Sequence, residues 1–113
     1  MHEASIARAI IGSVCKVVAQ SGLTRVSKVH LRVGKFTAVV PEALSFAFRY
    51  AAEGTPCENA ALVIEEIPIT FRCEDCQRDS SIEEANLVCP KCNSQRLRLL
   101  SGRELLIESV EAE

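Results

Sequence analysis

The chain has 113 residues, of which 48% are hydrophobic and 25% charged, and its formal net charge is -2. This composition is typical of a folded domain and argues against extensive disorder. The acidic balance disfavours nucleic acid as a partner, because a phosphate backbone is bound by a basic surface. No run of about 18 apolar residues is present, so we expect no membrane-spanning helix and predict a cytoplasmic protein.

The spacing of apolar residues predicts two helices in the first half of the chain. Over residues 3–21, apolar side chains recur at steps of three and four, and Gly22 follows where a left-handed cap is favoured. The segment VPEALSFAFRYAAEG restarts this period, with Pro41 in the first turn and Gly54 at the end. The predicted apolar stripe of the first helix comprises Ile6, Ile10, Val14, Val17 and Val18, widened by Ala7 and Ile11.

Three other segments have the pattern of strands. RVSKVHLRVG alternates Val29, Leu31 and Val33 with polar residues, and ALVIEEIPI is a second strand that Pro68 ends or confines to an edge. RELLIESVE is the third. The order helix, strand, helix, strand, insertion, strand predicts an α+β fold, with a small sheet of about three strands and two helices on one face. An exposed edge of this sheet would permit a homodimer.

The inserted segment carries two C-x-x-C pairs, separated by residues 77–88. Each such turn directs two sulfurs at one ion, and two turns together place four thiolates around a tetrahedral Zn(II). Four protein ligands leave no open position, so we expect a structural zinc that supplies the folding free energy of the insertion. The predicted organisation is an α/β domain of residues 1–69 and 101–113, and a zinc-ribbon domain of residues 70–100. The predicted zinc ligands are Cys73, Cys76, Cys89 and Cys92.

The cysteine pattern leaves other interpretations open. Two disulfides are disfavoured because the cytoplasm is reducing, whereas iron in a rubredoxin-like redox centre is compatible with the CPKC sequence. A zinc ribbon can also be an interaction module in transcription or RNA processing. In that case Arg96 and Arg98 would contact phosphates, although two arginines are more often a solvated face. Visible absorbance and salt-dependent nucleic-acid binding would distinguish these classes.

The first three residues, Met1, His2 and Glu3, form a second candidate metal site. Since His2 is large, the initiator Met is expected to stay and to keep a free amine. That amine, together with the amide nitrogen and the Nδ1 of His2, can chelate one ion in a plane, and Glu3 can add its amide or its carboxylate. Planar nitrogen sets suit Ni(II) or Cu(II). The alternative is an incidental histidine followed by a Glu3 that interacts with the helix dipole.

The remaining polar and thiol groups have modest predicted roles. There is no Gly-rich phosphate loop and no nucleophile with an adjacent base, so the protein is predicted not to be an enzyme. Cys15 is expected to be a small buried residue, and Cys57 a loop thiol. His30 lies on the polar face of the first strand and is expected to be solvated rather than a second nickel ligand.

Taken together, MHE, VHLRVGKF, PEALSFAF, ENAALVIEEIP, the two C-x-x-C pairs and GRELLIESVE resemble the HypA/HybF nickel metallochaperones of hydrogenase maturation. The resemblance extends from end to end of the chain. It implies Ni(II) as a transient cargo bound by Met1, His2 and Glu3, and delivered to the NiFe-hydrogenase large-subunit precursor with the GTPase HypB. In some members the role extends to urease. It implies a structural Zn(II) at Cys73, Cys76, Cys89 and Cys92.

Overall fold

The computed structural model describes residues 2–82 and 87–113. Helices α1 (Glu3–Gln20) and α2 (Pro41–Ala51) are joined by strand β1 (Val26–Gly34) and a short 3₁₀ helix (Lys35–Thr37). No helix in the described residues is both long and apolar enough to cross a membrane. The other strands are β2 (Ala61–Ile67), β3 (Thr70–Cys73), β4 (Asp79–Ser81), β5 (Leu97–Ser101) and β6 (Leu105–Ala112).

The predicted α+β class is confirmed, and the sheets have the strand orders β2-β1-β6 and β4-β3-β5. Strands β3, β4 and β5 lie in the inserted segment that carries the two C-x-x-C pairs, where neither the helical nor the strand period is sustained in the sequence. The chain divides into two compact units. The first comprises Met1–Leu31, Val39–Glu65 and Leu106–Glu113, and the second comprises Arg32–Ala38 and Glu66–Leu105.

Helix α1 buries the predicted stripe in the first unit, with one exception. Ile6, Ile10 and Val14 are buried, whereas Val17 is 56% exposed. Ile6 and Ile10 lie on the same side of the helix as Val17. The buried face of α1 is therefore narrower in its last turn than in its first turns. The helix ends in a Schellman motif: Gly22 has φ +72°, its N–H bonds to the carbonyl of Ala19, and the N–H of Leu23 bonds to the carbonyl of Val18.

Helix α2 packs against α1 and begins at Pro41, whose missing N–H costs nothing in the first turn. Leu44 and Phe48 on its inner face are almost completely buried. The outer face carries Phe46 and Tyr50, which are 68% and 73% exposed. The helix therefore has the one-sided burial of an element on the surface of a small domain.

Strand β1 is the central strand of its sheet and alternates as predicted. Val29, Leu31 and Val33 are at most 2% exposed, and the residues between them are partly solvated. In the first unit β1 is tied to β6 by side chains as well as by backbone. Ser27 Oγ donates to the carbonyl of Glu111 at 3.1 Å, and the His30 ring lies 2.8 Å from the carboxylate of the same residue.

The second unit contains the antiparallel sheet β4-β3-β5, in which Phe71 lies opposite Ser80 on one side and Leu99 on the other. Close to this sheet, Gly34 approaches the backbone of Gly102. A Cβ added at Gly34 would lie 2.0 Å from the carbonyl oxygen of Gly102, so only glycine fits there. The N–H of Phe36 bonds to that same oxygen at 2.8 Å.

Gly12 within α1 and Gly22 just after its C-terminus provide a matched test of the helix and its C-terminal cap. Gly22→Ala would force a side chain into a left-handed conformation, although nothing lies within 4 Å of the added Cβ. We expect a loss of about 1 kcal/mol in the free energy of unfolding. Gly12→Ala lies within the same helix with open space around its Cβ, and we expect a gain of about 0.5–1 kcal/mol. Urea denaturation of both variants checks the signs, and a stabilised Gly22→Ala would contradict the assigned cap.

Candidate functional site

The two C-x-x-C pairs lie on two turns of the second unit that share one hydrogen-bond pattern. In the first turn the carbonyl of Cys73 accepts a bond from the N–H of Gln77 at 2.9 Å, and in the second the carbonyl of Cys89 accepts from Asn93 at 2.8 Å. Both donors have positive φ, at 61° and 66°. Backbone geometry alone thus points the two sulfurs of each turn in the same direction.

The structure brings all four predicted zinc ligands together. The four Sγ atoms lie within 4.8 Å of one another. The closest pairs are Cys73 with Cys92 at 3.4 Å and Cys76 with Cys89 at 3.7 Å. A tetrahedral Zn–S distance of ~2.3 Å places sulfurs roughly 3.8 Å apart, whereas a disulfide bond requires about 2.05 Å. The geometry therefore fits a four-thiolate metal site and not a pair of disulfides.

Each turn combines one thiol that ionises readily with one that does not. The N–H of Cys76, 3.5 Å from the sulfur of Cys73, is the main cause that lowers the pKa of Cys73 to about 6. Burial raises the pKa of Cys76. Burial also opposes ionisation of Cys89, but hydrogen bonds from backbone N–H groups outweigh it and lower its pKa.

The second turn completes this pattern at Cys92. A backbone N–H favours its thiolate, but the hydrogen bond with Cys73 together with burial raises the pKa of Cys92 to about 12. Four thiolates at these distances repel one another, so they ionise together only when a cation lies between them. The donor set is therefore matched to a bound divalent ion.

Two of the four cysteines also belong to the buried core of the second unit. Phe71, Cys73 and Cys89 are buried together. Partly buried side chains pack against them, namely Cys76, Ile82 and Leu97.

Arginines beside the turns are paired with acidic side chains. Arg72 Nε lies 2.7 Å from Asp79, and Arg96 lies 2.8 Å from Asp75 and 3.4 Å from Glu74. Arg72 holds the pKa of Asp79 below its usual range. Because Arg72 and Arg96 already have acidic partners, they contribute less positive charge for binding a phosphate backbone.

The N-terminal candidates lie in the first unit, where Met1 is outside the described residues. His2 is exposed and extended (φ -89°, ψ 140°), and it caps α1 with its carbonyl, which accepts from Ser5 at 3.1 Å and Ile6 at 3.2 Å. The side chain of Glu3 reaches the N-terminus of α2, where its Oε2 lies 3.5 Å from the backbone nitrogen of Val40.

Two features of the first unit were missed because they join residues far apart in sequence. Cys57 lies in a turn, as predicted, but it is fully buried. Burial, followed by the effects of neighbouring Cys15, raises the pKa of Cys57 to about 12. His30 pairs with Glu111 instead of being simply solvated, and this contact lowers the pKa of Glu111.

Sequence comparison agrees with the motifs. The family model described as HypA, hydrogenase/urease nickel incorporation metallochaperone, matches residues 1–112. The chain is 41% identical over 112 residues to the hydrogenase maturation factor HypA of Chloroflexus aurantiacus, covering 98% of both chains. It is 47% identical over 115 residues to the factor of the same name in Streptomyces avermitilis, covering 100% of this chain and 88% of the relative.

Structure comparison agrees on the fold. The solution structure of the Ni metallochaperone HypA from Helicobacter pylori has a TM-score of 0.67 and 24% identity, covering 99% of this chain and 97% of that one. A second solution structure, of a HypA protein, has a TM-score of 0.73 and 23% identity, covering 100% and 97%. The resemblance found in the motifs is confirmed: the chain belongs to the HypA family of nickel metallochaperones of hydrogenase maturation.

Proposed function

We propose that this chain binds Ni(II) through Met1, His2 and Glu3 and releases it during hydrogenase maturation. The observation that supports this site is that nitrogen atoms at the start of α1 are available to bind a metal ion. The imidazole and amide nitrogen of His2 and the amide nitrogen of Glu3 have no hydrogen-bond partner among the described residues. A helix leaves its first N–H groups unpaired, so nickel can take these nitrogens without breaking helical bonds.

In the proposed ligand set, the Met1 amine and the His2 amide close a five-membered ring with the ion. The same amide and the His2 Nδ1 close a six-membered ring. Glu3 adds its amide nitrogen or its carboxylate, which the long contact with Val40 holds only weakly. Planar nitrogen ligands suit Ni(II), and the need to deprotonate amides makes binding pH-dependent and reversible. Reversibility is what a cargo requires.

We propose delivery to the NiFe-hydrogenase large-subunit precursor in the cytoplasm, with the GTPase HypB as the partner and urease as a second recipient system. The chain has no phosphate-binding loop, so GTP hydrolysis belongs to the partner. Copper binds nitrogen ligands more tightly than nickel. Selectivity therefore depends on docking to a nickel-donating or nickel-accepting protein rather than on affinity alone.

We propose that Cys73, Cys76, Cys89 and Cys92 hold a structural Zn(II), and that residues 70–100 form a zinc-ribbon domain beside a nickel-binding domain of residues 1–69 and 101–113. The sulfur spacing and the all-thiolate donor set support zinc. When bound, the ion supplies a crosslink between the two turns. The cysteines fill every position of a tetrahedron, so this site cannot exchange its ion as easily as the first.

Iron and nucleic acid remain the competing interpretations for this unit. The same four sulfurs can hold iron, which visible absorbance would reveal. A role in nucleic-acid binding draws less support, because Arg72 and Arg96 are paired with acidic side chains.

Replacing His2 tests the nickel site. We expect His2→Ala to abolish specific nickel binding, because it removes the imidazole while α1 loses no side-chain cap. His30→Ala is the matched control, since the chain has two histidines. Nickel stoichiometry by calorimetry on untagged protein is the measurement, with zinc determined in parallel. If His2→Ala keeps the full nickel stoichiometry, the assignment is wrong.

Blocking the N-terminal amine tests Met1 separately. Acetylation or an N-terminal extension should reduce nickel binding as strongly as His2→Ala, because the amine closes the first chelate ring. A C-terminal extension of the same length is the control and should leave nickel binding unchanged. Equal nickel affinity of acetylated and free protein would remove Met1 from the ligand set.

Replacing Cys73 tests the structural zinc. We expect Cys73→Ser to lose most of the zinc, from about one ion per chain, together with the ordered structure of residues 70–100. Cys15→Ser is the control because its thiol lies outside the four-cysteine cluster. Elemental analysis and amide hydrogen exchange provide the two readouts. Full zinc content in Cys73→Ser would exclude the four-thiolate site, and iron in the wild-type protein would favour the redox alternative.

A further inference from the structure

The second unit has an apolar groove that the proposed nickel and zinc sites do not use. It has a volume of about 240 Å³ and lies on the face of the sheet where Phe71 pairs with Leu99. Residues directly opposite in an antiparallel pair share a face, and so do residues two apart in one strand. The lining comprises Phe36, Ile69, Phe71, Ile82, Leu87, Gln95, Leu97, Leu99 and Arg103.

The residues at the floor of the groove are buried, and its wall is partly exposed to solvent. Ile69 and Phe71 are each 2% exposed, and Phe71 belongs to the same buried cluster as Cys73 and Cys89. Leu87, on the wall, is 48% exposed. An apolar floor with partly solvated apolar walls favours an apolar occupant, because contact would remove these walls from water.

A single cation stands at this groove. Arg103 is the one charged residue among the described residues of its lining, and its guanidinium lies 5.6 Å from the centre of the Phe36 ring. Arg72 and Arg96 in the same unit have carboxylate partners, whereas Arg103 forms no ion pair with any described residue. Its planar fork of donors matches a carboxylate, which would complete its hydrogen bonding.

We propose that this groove docks an extended segment of a partner protein that presents two apolar side chains, two residues apart, and an acidic side chain on one face. The apolar side chains occupy the surface over Phe71 and Leu99, and the acidic side chain pairs with Arg103. The volume lies below the roughly 300–1,000 Å³ of small-molecule sites, so side-chain anchors fit better than a cofactor.

A peptide series on the full-length protein tests the docking site. The probes are fluorescein-labelled hexapeptides in which one Glu and two Leu or Ile residues alternate with serines, and matched peptides with Gln in place of Glu. We expect sub-millimolar binding by fluorescence anisotropy for the Glu series and about tenfold weaker binding for the Gln series, the size of one charge-assisted hydrogen-bonded pair.

Variants separate the groove from the rest of the unit. Arg103→Gln should weaken the Glu peptides to the level of the Gln peptides, and Leu87→Ser should weaken both series. The control positions Arg98 and Leu100 lie on β5, next to Leu97 and Leu99 but outside the groove lining. Arg98→Gln and Leu100→Ser should therefore bind both series like the wild type. Thermal denaturation confirms that each variant is folded.

Three results would overturn the proposal: no peptide binding at 1 mM, equal binding of the Glu and Gln series, or an equal loss in the controls. Self-association that Arg103→Gln abolishes, measured by sedimentation, would instead assign the groove to a second copy and also contradict it. Nickel stoichiometry should be unchanged in Arg103→Gln, so the failure of this proposal is distinguishable from the failure of the nickel site.

Discussion

Four sulfur atoms within 4.8 Å of one another are the constraint around which the second unit is organised. One buried cluster of the unit consists of Phe71 and two of the cysteines, Cys73 and Cys89, so two ligands of the proposed zinc are also core residues. A cluster this small does not offset the entropy of ordering the chain around it. In the proposed zinc-bound state the metal therefore does the work of a larger core. The apolar groove depends on the same constraint, because Phe71 forms part of both.

The two proposed metal sites differ in how readily they can exchange a bound ion. The cysteine site has four identical soft ligands on two preformed turns and no open position, which favours retention. The proposed N-terminal site draws on a terminal amine, an exposed imidazole and amides that a helix leaves unpaired, which favours exchange. One chain can hold a permanent ion and a transient one because ligand type and rigidity separate them. In the proposed nickel-bound state, the start of α1 at Glu3 supplies the ligands and its buried face supplies the stability.

Much of this architecture could be predicted from periodicity, and the failures have a common cause. Helices α1 and α2 and strands β1, β2 and β6 are long enough for the periods of 3.6 and 2 to be visible, and Gly22 and Gly54 do adopt positive φ. Strands β3, β4 and β5 have only four, three and five residues, too few for alternation to register. The cysteine spacing located the metal-binding cluster because two local turns determine it. The contact between His30 and Glu111, 81 residues apart, has no local signature.

The environment of Cys57 differs in its electrostatics from that of Cys73, a ligand of the proposed zinc site. A thiol binds metal as the thiolate. Burial and the neighbouring Cys15 raise the pKa of Cys57 to about 12, so at neutral pH this thiol stays protonated. In the other unit a backbone N–H lowers the pKa of Cys73 to about 6, which favours its thiolate. The two thiols differ because desolvation dominates at Cys57 and hydrogen bonding dominates at Cys73.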